Sequence, residues 1–151
     1  MSSPTGAMAG WYTPATTGAV AAPPMFAIEP VATKKSGARI LAGGDVPEGG
    51  GYFIPPTLVA DVDENSRLVR EEQFGPVVPI LKYSDLDDAV RRANDTRYGL
   101  SGSVWTADPE RGRQIAQRLE VGTAWVNQHR ATSAFVPFGG AKESGLGRQY
   151  S

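Results

Sequence analysis

The 151-residue chain contains no cysteine. That absence excludes disulfides, thiolate metal sites, cysteine redox chemistry and a cysteine nucleophile supplied by these residues. It has one histidine, His129, so no histidine-rich metal site can be assembled. No sign of charge dominates: Lys and Arg number 15, Asp and Glu 16, and the formal net charge is −1. Such a chain has no strong field to draw in nucleic acid, acidic lipid or an acidic substrate. Long apolar runs are missing too. The stretch from Gly18 to Met25 is short and is interrupted by Pro23 and Pro24, far from the roughly 20 apolar residues of a membrane-spanning helix. The first basic residue is Lys34, so the charged start of a secretory signal is absent. The default expectation is a cytoplasmic protein with no membrane or nucleic-acid partner.

The chain is rich in turn formers, with 18 Gly and 12 Pro. An apolar content of 40% with 21% charged residues fits one soluble globular domain. Two parts differ sharply. Residues 1–36 are rich in Ala, Pro and Thr, and up to residue 33 carry a single charge, Glu29. This part reads as loop or disorder, with Trp11, Tyr12 and Phe26 as anchors onto something else. Residues 37–151 are orderly. Ala38 to Ala42 is a short apolar stretch, and Gly49 to Gly51 a flexible turn. Tyr52 to Ile54, Thr57 to Val62 and Val77 to Tyr83 read as extended. Pro79, lacking an N–H, belongs on an edge or a bulge.

A helix is predicted after Ser84, its expected N-cap, with Asp85, Asp87 and Asp88 in the first turn. Leu86, Ala89, Val90 and Ala93 form its apolar stripe. Ser101 to Trp105 is the next strand. Asp108-Pro109 then opens a second helix lined by Ile115, Ala116 and Leu119. Thr123 to Asn127 is a further strand. The alternation implies an α/β fold with a partial doubly wound parallel sheet. So narrow a sheet leaves an edge and part of a face uncovered, as expected for a portion of something larger.

Two segments carry candidate chemistry. Glu71-Glu72-Gln73-Phe74-Gly75-Pro76 is either a solvated turn with a core phenylalanine or a strand entrance whose carboxylate accepts bonds from sugar hydroxyls beside Phe74. Pro137 to Arg148 places four glycines in nine positions, which permits positive φ and close backbone approach. It lacks the Gly-Lys-Ser/Thr of a phosphate loop and reads better as a pocket-lining loop. His129 has no Ser or Cys word near it, which favours a surface or channel-wall histidine over a general base.

The words EEQFGPVVPIL (71–81), ANDTRYGLSGSVWT (93–106), GTAWVN (122–127) and PFGGAKESGLGR (137–148) together resemble the aldehyde dehydrogenase superfamily in letters, order and spacing. The resemblance covers about residues 37–150 and implies the later part of the catalytic domain. It also implies an aldehyde substrate oxidised to a carboxylate, NAD or NADP as coenzyme, and homo-oligomers or association with another subunit. Residue by residue, it implies that Glu72 binds the ribose hydroxyls beside the nicotinamide and that Phe74 packs near that ring. Phe138 would line the substrate tunnel, with Asn127 at the base of the same loop and Gln128, His129 and Phe135 as further tunnel residues.

The departures from the family pattern are as informative. The family's Cys nucleophile, Glu base, oxyanion Asn and dinucleotide-binding domain have no counterpart in these 151 residues. The strand that crosses to a neighbouring subunit is also missing. Where many members have a Glu after the final Gly-Arg, this chain has Gln149, which cannot titrate. The expectation is a truncated or fragmentary member, inactive alone, with no catalytic residue, no metal and no tight coenzyme binding. Two alternatives stay open: a non-catalytic protein that associates with full-length subunits, and a small binding module.

Overall fold

The computed structural model describes residues 37–45, 48 and 53–150. The Ala/Pro/Thr-rich opening segment with Trp11, Tyr12 and Phe26, the Gly49–Gly51 turn and Tyr52 lie outside these residues. The described chain forms two compact units that divide between Lys82 and Tyr83. Both mix helices with strands, as the alternating pattern requires.

In the first unit, β1 (Arg39–Ala42), β2 (Thr57–Ala60) and β3 (Val77–Ile80) form a sheet in that order. β1 runs antiparallel to β2, and β2 runs parallel to β3. β2 is central, and its Thr57, Val59 and Ala60 are buried. The Thr57 hydroxyl donates to the Pro55 carbonyl at 2.9 Å and accepts from Gly44 N–H at 3.0 Å. This ties the end of β1 to the start of β2 and satisfies a buried hydroxyl. The connection needs glycine: Gly43 and Gly44 have φ of 71° and 90°, and a Cβ on Gly43 would strike the Pro56 carbonyl. Pro79 sits on the outer strand β3 opposite Val59, where a missing N–H costs no ladder bond. The expected run from Thr57 to Val62 stops at Ala60 because Asp61 turns into the left-handed region at φ 57°. One helical turn, α1 (Arg67–Arg70), precedes β3.

In the second unit, α2 (Leu86–Asn94) begins one residue later than expected. Asp85, not Ser84, is the N-cap, its carboxylate accepting from Asp88 N–H at 2.7 Å. An ionised carboxylate is the stronger acceptor at a helix start. Asp108 caps α3 (Pro109–Ala116) as expected, accepting from Glu110 and Arg111 N–H at 3.0 and 3.1 Å, with Pro109 in the first turn. Helix α3 is the crossover between β5 (Ser101–Val104) and β6 (Thr123–Val126), which pair in parallel. Val90, Val104, Ile115 and Ala116 form the core, with Leu86, Leu119 and Val126 against it. Two short antiparallel pairs complete the unit. β4 (Tyr98–Gly99) pairs with β8 (Ala141–Lys142), and β7 (Phe138–Gly139) with β9 (Arg148–Gln149). The parallel pairings are thus β2–β3 and β5–β6, and the antiparallel β1 was not foreseen. Among the described residues, no helix is long and apolar enough to cross a membrane.

Candidate functional site

The singled-out residues fall into one group in each unit.

Glu72 and Phe74 occupy the bend between α1 and β3. Helix α1 stops at Glu71, whose backbone is extended at ψ 153°. The Glu71 carboxylate folds back on Arg67 in a forked contact, accepting from Nε at 2.9 and 3.0 Å and from Nη2 at 2.8 Å. The neighbouring carboxylate holds the Arg67 guanidinium above its ordinary value, first through these hydrogen bonds. Gln73 donates from Nε2 to the Arg67 and Glu71 carbonyls at 2.8 and 3.2 Å, closing the bend. The two adjacent acids therefore divide their work. Glu71 is spent on local structure. Glu72 is half-buried, and among the described residues its carboxylate makes no hydrogen bond or ion pair. Phe74 leaves the bend 66% exposed, so it is not the core phenylalanine of the alternative reading.

The second group lies beyond β6. Asn127 follows the strand with φ 54°. Its N–H donates to the Val104 carbonyl at 2.8 Å. Its side chain grips the exit of β5: Oδ1 accepts from Thr106 N–H and Nδ2 donates to the Thr106 carbonyl, both at 2.8 Å. One donor and one acceptor of this amide thus hold backbone in place.

His129 folds back over the parallel pair. Its Nδ1 lies 2.7 Å from Ser103 Oγ. Its ring meets Trp125 edge-on, with centroids 5.3 Å apart and planes at 70°. Trp125 Nε1–H donates to the Ala131 carbonyl at 2.7 Å. A serine does stand beside His129, contrary to the expectation drawn from neighbouring letters, because the two are 26 residues apart in the chain. The signal was the parallel register, which sets Ser103 opposite Trp125 and leaves His129 just past the strand end. Residues 127 to 137, His129 among them, are all exposed, and Phe135 projects at 95% exposure. Phe138 is half-buried on β7, opposite Gln149 on β9.

The glycine-rich segment after Phe138 does not open into an anion cradle. Ser144 Oγ accepts from Gly99 N–H at 2.9 Å, and Glu143 N–H donates to the Arg97 carbonyl at 3.0 Å. A Cβ on Gly139 would come within 2.6 Å of the Gly147 carbonyl, and one on Gly140 within 2.5 Å of Ser144 backbone. These glycines permit backbone to pack on backbone. Among the described residues there is no group of three or more His, Asp or Glu able to hold a metal ion.

With this geometry in hand, comparison with known proteins gives a consistent result. The model of the aldehyde dehydrogenase family matches residues 30–151. A betaine aldehyde dehydrogenase from Rhizobium leguminosarum is 46% identical over 121 residues, covering 78% of this chain and 25% of that protein. Retinaldehyde dehydrogenase 3 of Rattus norvegicus is 47% identical over 116 residues, covering 77% and 23%. Among solved structures, a Mycobacterium tuberculosis aldehyde dehydrogenase complexed with NAD+ superposes with a TM-score of 0.72 at 45% identity. That alignment covers 79% of this chain and 25% of that one. The chain spans about a quarter of the length of the curated relatives it matches.

Proposed function

The chain belongs to the aldehyde dehydrogenase family, and from that premise we propose that it supplies one wall of an NAD(P)-dependent aldehyde-oxidising centre without being able to run the reaction alone. The observation that carries this reading is the contrast within 71–72. Glu71 is tied to Arg67, while Glu72 is half-buried and its carboxylate makes no hydrogen bond or ion pair among the described residues. In the proposed role Glu72 accepts from the two hydroxyls of the nicotinamide ribose, and Phe74 packs against the adjoining ring. The bound coenzyme supplies a hydride acceptor.

On the aldehyde side, Phe138 and Phe135 offer apolar surface, and Asn127 holds the loop that bears Phe135. Gln128 and His129 stand at the base of that loop. The substrate class is an aldehyde, converted to a carboxylate in the complete centre. Association with copies of itself or with another subunit, and a cytoplasmic setting, belong to the same proposal. The relatives named betaine aldehyde dehydrogenase and retinaldehyde dehydrogenase differ widely in substrate size, so no single aldehyde is assigned.

Covalent aldehyde oxidation needs a nucleophile, donors for the developing oxyanion and a held hydride acceptor. These residues contain no cysteine, and His129 is engaged with buried Ser103. Losing one member of such a unit already lowers rates by orders of magnitude. The purified chain is therefore expected to give no absorbance rise at 340 nm with NAD or NADP and a panel of aldehydes. Calorimetry with NAD is expected to show no saturable binding. Reproducible turnover in proportion to protein would refute the proposal.

A further inference from the structure

The loop after β6 has two unlike parts. Residues 127–131 are tied down at several points. Asn127 binds both the Val104 carbonyl and the Thr106 backbone, Trp125 Nε1–H reaches back to the Ala131 carbonyl, and His129 meets Ser103. Residues 132–137 are exposed like 127–131, but among the described residues their hydrogen bonds are internal, with Ser133 accepting from Val136 N–H and, through Oγ, from Phe135 N–H. Three of the four tethers use backbone groups or the strand-end Asn. The fourth joins two side chains and comes from inside the sheet. Ser103 is 3% exposed in the middle of β5, whose residues are all buried. A buried hydroxyl there needs a partner, and His129 provides it. The same imidazole leans its edge on Trp125, which is itself 7% exposed.

From this we propose that Ser103 and His129 form a latch that fixes the turn at 128–131, and so fixes where the exposed segment carrying Phe135 leaves the fold. Ser103 is then a positioning residue for the aldehyde-side aromatic, acting through His129 and Trp125 without touching substrate. The functional meaning of the latch rests on the reading of Phe135 given above. Its physical existence does not, so the test uses neither aldehyde nor coenzyme. Sequence variation at Ser103 would redirect Phe135 without altering any residue of the channel wall, and this makes the buried serine a determinant of substrate range.

The test is limited proteolysis of the purified chain with trypsin. Arg130 lies in the turn and is exposed, whereas Arg113 lies within α3. Ser103→Ala and His129→Phe are each expected to speed cleavage after Arg130 about tenfold while leaving cleavage after Arg113 unchanged. They are also expected to shift the Trp125 indole N–H resonance as its bond to Ala131 loosens. Ser103→Thr, which keeps the hydroxyl and suits a strand, is expected to restore both readouts. Unchanged cleavage after Arg130 in both variants would overturn the proposal. So would equal acceleration at Arg130 and Arg113, since that reports a general loss of stability. Should a variant fail to fold, solvent exchange of the Trp125 indole proton in the unaltered chain decides. Slow exchange supports the latch, and exchange as fast as that of the half-exposed Trp105 indole overturns it.

Discussion

The units over 37–82 and 83–150 both mix strands with helices and finish differently. In the later unit, helices cover the strand pair, and Val90, Val104, Ile115 and Ala116 make a closed cluster. In the earlier unit, the sheet has a single helical turn beside it, and large apolar side chains on the strands themselves, Leu41, Leu58 and Val78, are exposed, whereas the exposed ones of the later unit, such as Trp105, Phe135 and Leu146, lie between its elements. Leu58 and Val78 are register partners on neighbouring strands, so they share one open face. The lesson is that a sheet needs a second layer to become a core. The later unit carries its own layer, and the earlier one presents a face made for a layer it does not contain among the described residues.

The strongest way to break this comparison is to truncate one apolar side chain in each unit. Ile115→Ala removes a buried branched chain from the closed cluster and is expected to cost about 2–5 kcal/mol. Leu58→Ala removes a partly solvated one and is expected to cost within about 0.5 kcal/mol. Amide hydrogen exchange in β5 and β2 reads the two effects separately. An equally large loss at Leu58 would mean that the open face is covered in solution.

A smaller effect sharpens the account of the later unit. Asn127 combines a left-handed backbone with a two-way grip on Thr106. Asn127→Ala loses both advantages and is expected to cost about 1–3 kcal/mol. Asn127→Gly loses only the grip and is expected to recover about 1–2 kcal/mol of that, the usual burden of an L side chain in this region. Urea unfolding of the two variants separates these contributions. If Gly and Ala behave alike, the backbone conformation carries no weight.

The smallest effect concerns charge. Asp61 lies below its ordinary carboxyl value of 3.8, first because it accepts a hydrogen bond from Arg39 at 2.9 Å, with Lys82 a further attraction. Asp88 is lowered in the same way by Arg91 and then Arg92 on its own helix. A depressed folded-state value means the stabilisation is present above pH 3.8 and is lost as pH falls through the lower folded value. Both groups are exposed, so the loss is slight and screened by salt. Asp61→Asn is expected to flatten the acid limb for the earlier unit, where the pairing joins strand to loop. Asp88→Asn is expected to do so for α2 alone. Exchange rates between pH 4 and 2 at low salt would show it, and identical acid limbs for variant and parent would rule it out.

Much of this was legible beforehand. The cap at Asp108, the stripe of Leu86, Ala89, Val90 and Ala93, and the outer-strand position of Pro79 follow local rules, whereas the first helix is capped by Asp85 and not by the adjacent Ser84, since both side chains offer an acceptor. Parts of the candidate site were not legible. Nothing in EEQF says which acid is committed, because that depends on whether Arg67 comes round one helical turn to meet Glu71. Asn127 reads as a channel residue by position, yet its amide grips backbone 21 residues away. The glycines at 139 and 140 admit neighbouring backbone from Gly147 and Ser144, which their spacing alone does not show.

By itself, the sequence determined the chemical inventory and the local grammar: no thiol, one imidazole, four family words in order, and the two main helices with the strands beside them. Only the tertiary structure decided which polar groups spend themselves on one another and which stay open. Ser103 finds His129 across 26 residues, and Glu71 meets Arg67 while Glu72 makes no hydrogen bond or ion pair among the described residues. The physical reason is range. Caps and apolar stripes are settled within a few residues of chain, whereas a hydrogen bond between distant side chains exists only after strand register has brought both ends within 3 Å or so of each other.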